Sequence, residues 1–272
     1  MSKVVLITGA SSGMGKATTE FLAKNDFTVY AGTRDISKLD NIKSKNIIPI
    51  KLDISSQTSI DKAVKEILFN HKKIDILINN AGFGLVSTVE DLKEEEMFLQ
   101  FNINVFGTLR VCKAVIPRMR ENKSGVIINI SSFLGKIGLP LLTLYNSSKY
   151  AVEGITDSLR YELKDFNIRV HSVLPGFFDT KFARDNLVTN SKTFDENSPY
   201  KNLVSNLAPI IVKQINSGND ASEVGSMILE IIQNSSFPAR ATIGDKAKKF
   251  IPMRKELSDE DFERRVREYY QI

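Results

Sequence analysis

Short apolar runs alternate along the chain with longer stretches in which apolar positions recur every three or four residues. The runs at 4–7, 28–31, 47–52, 74–78, 126–130, 169–174 and 241–243 have the length and β-branched content of strands. They are apolar throughout instead of strictly alternating, as expected of strands covered on both faces. Between them, 13–24, 56–70, 94–121, 144–165 and 221–233 read as amphipathic helices. This rhythm predicts an α/β protein with a doubly wound, seven-stranded parallel sheet and helices on both faces. No linker or shift in composition divides residues 1–272, so a single domain is expected. Residues 176–220 break the rhythm. They are rich in Asn, Ser and Thr and studded with Phe177, Phe178, Phe182, Leu187 and Phe194, the composition of a substrate loop or lid. The mixed-charge tail at 245–272 is expected to be surface helix or edge cover.

The first strand runs into Thr8-Gly9-Ala10-Ser11-Ser12-Gly13-Met14-Gly15, after which a helix opens. Glycines at such a junction let the chain turn sharply and bring backbone amides against a pyrophosphate at the helix N-terminus. Gly9, Ser11, Ser12, Gly13, Met14 and Gly15 are therefore candidate dinucleotide contacts. The same sequence would also serve as a plain strand-to-helix turn. Nicotinamide enzymes place a carboxylate at the end of the second strand for a ribose 2′-hydroxyl, or a cation for a 2′-phosphate. Here that point is Thr33-Arg34, and Arg34 can fork onto phosphate oxygens, which favours NADP(H) over NAD(H). Asp35 is open to two roles, pairing with Arg34 or capping the next helix.

Tyr145 and Lys149 are four residues apart on a predicted helix, hence on one face, so a positive charge can sit near a phenol whose free pKa is about 10. Ser132 follows a strand at the sheet edge where ligands of open α/β folds bind, and its hydroxyl can polarise a carbonyl. Ser131 is the neighbouring alternative. Asn104 stands inside a predicted helix, where asparagine is unfavourable, with Asn102 as a nearby competitor.

Taken in order, Thr8-Gly9-x-x-x-Gly13-x-Gly15, Asn79-Asn80-Ala81-Gly82, Asn104, Ser132, Tyr145-x-x-x-Lys149 and Pro175-Gly176 resemble the short-chain dehydrogenases/reductases. The resemblance spans nearly the whole chain and implies a single Rossmann domain. It implies Tyr145 as general acid in carbonyl reduction and base in alcohol oxidation, with Lys149 lowering its pKa. It implies Ser132 on the substrate oxygen, and Asn104 holding a water that leads to the lysine. For the cofactor it implies Asp53 at the adenine, with Ile54 beside it, Asn80, Ala81 and Gly82 beside the ribose, and Pro175, Gly176 and Thr180 at the nicotinamide carboxamide. The wording around Leu139 resembles the hydroxysteroid and retinol dehydrogenase branch. Phe133, Leu134, Ile137, Leu139, Leu142, Phe177 and Phe182 suggest an apolar pocket and a lipophilic ketone/alcohol pair. Two rivals remain: an idle NADP(H)-binding regulator, and a sugar-nucleotide epimerase-type enzyme, whose chains usually carry a longer C-terminal substrate domain.

Composition narrows the partners. Net charge is +5, but the Lys and Arg residues are dispersed among acids, so a solvated surface is expected instead of a nucleic-acid face. His71, His171 and Cys112 lack partners at ligand spacing, so no metal is expected. One cysteine excludes an intrachain disulfide, and the first strand begins at once after Met1-Ser2-Lys3, which predicts a cytoplasmic protein. No run has the roughly 18 apolar residues of a membrane span. Apolar surplus on the helices at 94–121 and 144–165, together with the resemblance, implies a homodimer or homotetramer.

Overall fold

The computed structural model describes residues 2–40, 42, 44–180 and 186–272. In chain order the elements are β1 (Val4–Thr8), α1 (Gly13–Lys24), β2 (Thr28–Thr33), β3 (Ile47–Lys51), α2 (Gln57–His71), β4 (Ile76–Asn79) and β5 (Gly84–Val86). Then come α3 (Glu94–Phe101), a π-helical turn (Asn102–Gly107), α4 (Thr108–Glu121), β6 (Gly125–Ile130), α5 (Thr143–Leu163), β7 (Ile168–Pro175), β8 (Phe178–Asp179) and β9 (Leu187–Thr189). The chain finishes with α6 (Lys201–Asn216), β10 (Asn219–Asp220), α7 (Ser222–Gln233), β11 (Arg240–Ile243), α8 (Asp245–Glu256) and α9 (Asp259–Tyr270).

Seven strands form one parallel sheet in the order β11-β7-β6-β4-β1-β2-β3. Side chains alternate across it. Val5 and Ile7 of β1 meet Leu22 of α1 and Ile228 and Ile231 of α7, whereas Val4 and Leu6 meet Ile60 and Ile67 of α2 and Val111 and Val115 of α4. The doubly wound sheet with helices on both faces is the architecture that the apolar runs predict. No helix among the described residues is long and apolar enough to cross a membrane.

The expected single helix at 94–121 is instead α3, the π turn and α4. Apolar periodicity runs straight through the join, so the break is invisible to it. The polar residues Asn102 and Asn104 mark the place. Residues 176–220 contain the sixteen-residue α6, whose Leu207, Ile211 and Ile215 are buried. Pro209 in its middle and the Asn/Ser-rich flanks hide its helical spacing. The tail folds as α8 and α9, and Phe250, Phe262, Val266 and Tyr270 join α6 and the loop after β6 in a third apolar cluster above the sheet ends.

Candidate active site

The chain leaves β1 toward β2 and β3 on one side and returns to β4 on the other, so the carboxyl ends of β1 and β4 frame a crevice. Gly9 has φ +66°, and a Cβ there would come within 2.8 Å of Ala81 Cα. A Cβ on Gly15 would lie 2.3 Å from Asn80 Nδ2 and 2.3 Å from Gly9 O. Asn80 closes this corner by donating from Nδ2 to Thr8 O (3.0 Å) and Gly9 O (3.1 Å). The Ser12 side chain makes no capping bond and the first turn of α1 holds no acid, which leaves an anion-receptive helix end. It faces a cleft of about 350 Å³ that Ser11, Ser12, Met14, Arg34, Asp53 and Ile54 help to line. Gly82, Ala81, Tyr145, Lys149 and Thr180 continue the same wall. The glycine cradle and the long polar cleft fit an extended dinucleotide.

At the far end, Asp35 takes the capping role: it accepts from Ser37 N–H (3.1 Å) and Ser37 Oγ (2.7 Å). Arg34 lines the cleft beside Thr33. Burial raises the Asp53 carboxyl, but bonds donated by Ser55 N–H (2.9 Å) and Oγ (2.7 Å), with the Arg34 charge, lower its pKa overall. Ser56 caps α2, which leaves Asp53 on the cleft wall.

α5 carries Tyr145 and Lys149 on one face, one turn apart. Lys149 is buried, its Nζ donates to Ile130 O (2.9 Å), and its ammonium lies 5.7 Å from the centre of the Tyr145 ring. Burial pushes its pKa down to about 8, against the pull of the Glu153 charge one turn on. Burial likewise pushes Tyr145 up to about 12, against a hydrogen bond with Ser132. Without the nucleotide, desolvation outweighs the Ser132 bond; the lowering expected of Lys149 and the cofactor charge together belongs to the loaded site. Between the two serines, Ser132 is the one bonded to Tyr145, and its Oγ also accepts from Leu134 N–H (3.1 Å). Ser131 Oγ turns to Lys149 O (3.4 Å).

The π turn carries Asn104 into the same site. Its Oδ1 accepts from Phe83 N–H (3.1 Å), and its Nδ2 donates to Phe83 O (2.9 Å) and Ser148 Oγ (3.0 Å). A Cβ on Gly82 would lie 3.1 Å from Asn104 Oδ1 and 3.8 Å from Lys149 Nζ, so this glycine keeps the gap between them open. Asn102 faces Arg110 instead.

On the other side of Tyr145 lies a cavity of about 210 Å³. Phe133, Leu134, Leu142, Pro175, Gly176 and Phe177 line it, as do Leu207 and Ile211 of α6. Leu139 does not: it is buried in the apolar cluster, its carbonyl accepts from Asn146 Nδ2 (2.9 Å), and Leu141 and Leu142 face the cavity. Ile137 is likewise buried in that cluster. Leu141 adopts φ +64°, a turn that alternation cannot foresee and that reverses which leucines point inward. Phe182 lies outside the described residues. The segment after it pairs β9 with β5 over Tyr145 and is tied down where Thr193 Oγ1 (2.7 Å) and Thr88 Oγ1 (2.6 Å) both donate to Asp91 Oδ2. The α6 wall escaped the sequence reading, although the spacing of Leu203, Leu207, Ile211 and Ile215 signals it. Among the described residues no group of three or more His, Cys, Asp or Glu could hold a metal ion.

A switch-point cleft, a glycine corner and a buried Tyr/Lys pair define a dinucleotide-binding α/β oxidoreductase. Residues 3–190 match the short-chain dehydrogenase family, and the chain belongs to that family. It is 35% identical over 257 residues to 3-ketodihydrosphingosine reductase of Bacteroides thetaiotaomicron, covering 92% of this chain and 93% of that one. It is 39% identical over 186 residues to 3-oxoacyl-(acyl-carrier-protein) reductase of Thermotoga maritima, covering 65% and 75%. Among solved structures, a short-chain dehydrogenase from Streptomyces avermitilis superposes with a TM-score of 0.85 at 29% identity, covering 100% of this chain and 96% of the other. The protein ElxO with NADP bound superposes with a TM-score of 0.73 at 27% identity, covering 89% and 97%.

Proposed function

We propose that the protein is an NADP(H)-dependent oxidoreductase that interconverts a lipophilic carbonyl compound and its alcohol, with Tyr145 as the proton-transfer group. One observation carries this reading: Tyr145 lines both the polar cleft and the apolar cavity, and so stands where a nucleotide and an apolar substrate would meet. When bound, the nicotinamide supplies or receives hydride. In reduction, the Tyr145 hydroxyl gives its proton to the substrate oxygen as negative charge develops there. Ser132, already bonded to that phenol, holds the same oxygen with its hydroxyl. The Lys149 ammonium keeps positive charge behind the phenol, and the gap over Gly82 between Lys149 and Asn104 gives room for the water that refills the proton.

Arg34 and the anion-receptive end of α1 support the NADP(H) preference, together with the likeness to ElxO with NADP bound. The remaining cofactor contacts that follow the cleft wall are Asp53 and Ile54 at the adenine, Asn80, Ala81 and Gly82 at the ribose, and Thr180 toward the nicotinamide, whereas Pro175 and Gly176 line the apolar cavity on the far side of Tyr145. The cavity walls are apolar, which matches a relative acting on a 3-keto sphingoid base and supports a substrate with a hydrocarbon chain. The described residues of 176–220, which include β9 and α6, would form its lid. The test is turnover of a 2-alkanone panel, from butanone to 2-dodecanone, with NADPH. Tyr145→Phe should lower kcat by about 10²- to 10⁴-fold while NADPH, followed by the change in its own fluorescence, still binds with a Kd within about threefold of the parent. No turnover by the parent against any ketone, aldehyde or alcohol, with NADPH still bound, would favour the idle regulator instead.

A further inference from the structure

Six residues beyond Asn104, Arg110 turns back along α4 and sets a half-buried guanidinium against the start of the π turn. Nη2 donates to Asn102 Oδ1 at 2.7 Å. Nη1 donates to Asn102 O at 3.2 Å and to Ile54 O at 3.4 Å. These acceptors belong to different parts of the site. Asn102 opens the turn that carries Asn104, and Ile54 walls the nucleotide cleft. Direct packing runs beside the hydrogen bonds: a Cβ on Gly107, the last residue of the π turn, would lie 2.6 Å from Ile54 Cδ1.

A π turn holds one residue more than the α-helical path and persists where something fixes it. Slipping by one residue would rotate Asn104 by about 100° about the helix axis, away from Phe83 and Ser148. The guanidinium satisfies both the side chain and the carbonyl of Asn102 while gripping a fixed point on the cleft floor. Lysine, with a single point charge on a flexible stem, lacks that planar fork.

We propose that Arg110 is a positioning residue: it pins the π turn to Ile54 and thereby holds the Asn104 amide between Phe83 and Ser148, next to the Lys149 end of the proton path. It touches neither cleft contents nor substrate itself. The proposal rests on the reading of Tyr145, Lys149 and Asn104 as the proton-transfer site.

A double-mutant cycle on the full chain tests it, with NADPH and the best 2-alkanone of the panel. Arg110→Met should lower kcat by about 10- to 100-fold, the scale of an ångström of misplacement, with the KM for NADPH within about threefold. In an Asn104→Ala background the same change should cost less than about twofold, because the group to be positioned is gone. Should Arg110→Met fail to fold, Asn102→Ala, which removes the 2.7 Å acceptor, takes its place in the same cycle. Equal losses in the two backgrounds, or no loss in the parent background, overturn the proposal. Tyr145→Phe is run in parallel. Turnover retained there overturns the reading of the site, whereas turnover lost there with equal losses in the cycle overturns the role of Arg110 alone.

Discussion

Lys149 holds its ammonium on the carbonyl of Ile130 in a site where burial brings its pKa down to about 8. Tyr145, at about 12 in the cofactor-free chain, is protonated near neutrality. The form present near neutrality is therefore a neutral phenol backed by a cation, which suits proton donation to a ketone more than proton removal from an alcohol. Because the lysine pKa is depressed, its charge is nearly complete a unit or more below that value and is lost as pH rises through about 8. The kcat for reduction is expected to be level below about pH 7 and to fall through about pH 8; a basic limb near 10, the free phenol value, would contradict this. At the other end of the cleft, Arg34→Ala should raise the KM for NADPH by about 10- to 100-fold and that for NADH by no more than about threefold, from the loss of charge-assisted bonds to one phosphate. Steady-state kinetics with both nucleotides check it. The residue types at this scale were legible in the sequence because Tyr, Lys and Arg advertise their chemistry. The rise of the phenol in the cofactor-free chain was not legible, because it depends on depth of burial, which spacing does not report.

Among the elements, α5 joins the site to the sheet edge, since it carries the Tyr/Lys pair at one end and an ionic tie to β11 further along. Arg240 of β11 donates from Nε to Glu153 Oε2 at 2.7 Å and from Nη2 to Asp157 at 2.7 and 2.6 Å. Lys136 reaches the same Glu153 oxygen at 3.1 Å. The Glu153 side chain is 3% exposed, so losing a partner leaves a charge that water cannot reach. Arg240→Ala should lower stability by about 2–4 kcal/mol, read from urea unfolding, whereas Lys16→Ala, which removes a surface pair with Glu20, should cost less than about 0.5 kcal/mol. Strands and most helices could be read from periodicity because the sheet is covered on both faces and each face has its own helix set. The interruption at Asn102–Gly107 could not, because a π turn adds a residue without disturbing the apolar count. α6 hid for the opposite reason: Pro209 argues against a helix that tertiary packing of Leu207 and Ile211 nevertheless supports.

At the scale of the molecule, an apolar face is left outside the core. Phe98 is 65% exposed on α3 and Tyr161 is 83% exposed on α5, with Phe106 on the π turn, Leu109 on α4 and Tyr150 on α5 also exposed. We propose that this face pairs with a second copy of the chain. Sedimentation at micromolar concentration should show a dimer or tetramer, and Phe98→Lys with Leu109→Lys should give a monomer that remains folded. The glycine corner has a bearing on how such chains diversify. At Gly9 an added methyl would strike Ala81, and at Gly15 it would strike Asn80 and the Gly9 carbonyl, all parts of the protein itself. Those two positions are therefore held by the scaffold whatever nucleotide is bound, and they are closed to selection for a new one. Change of cofactor must come through the Thr33-Arg34 rim, and change of substrate through the α6 wall, where side chains meet open space. Catalogues of such sequences sorted by their glycines would group them by architecture, while sorting by those two rims would group them by trade.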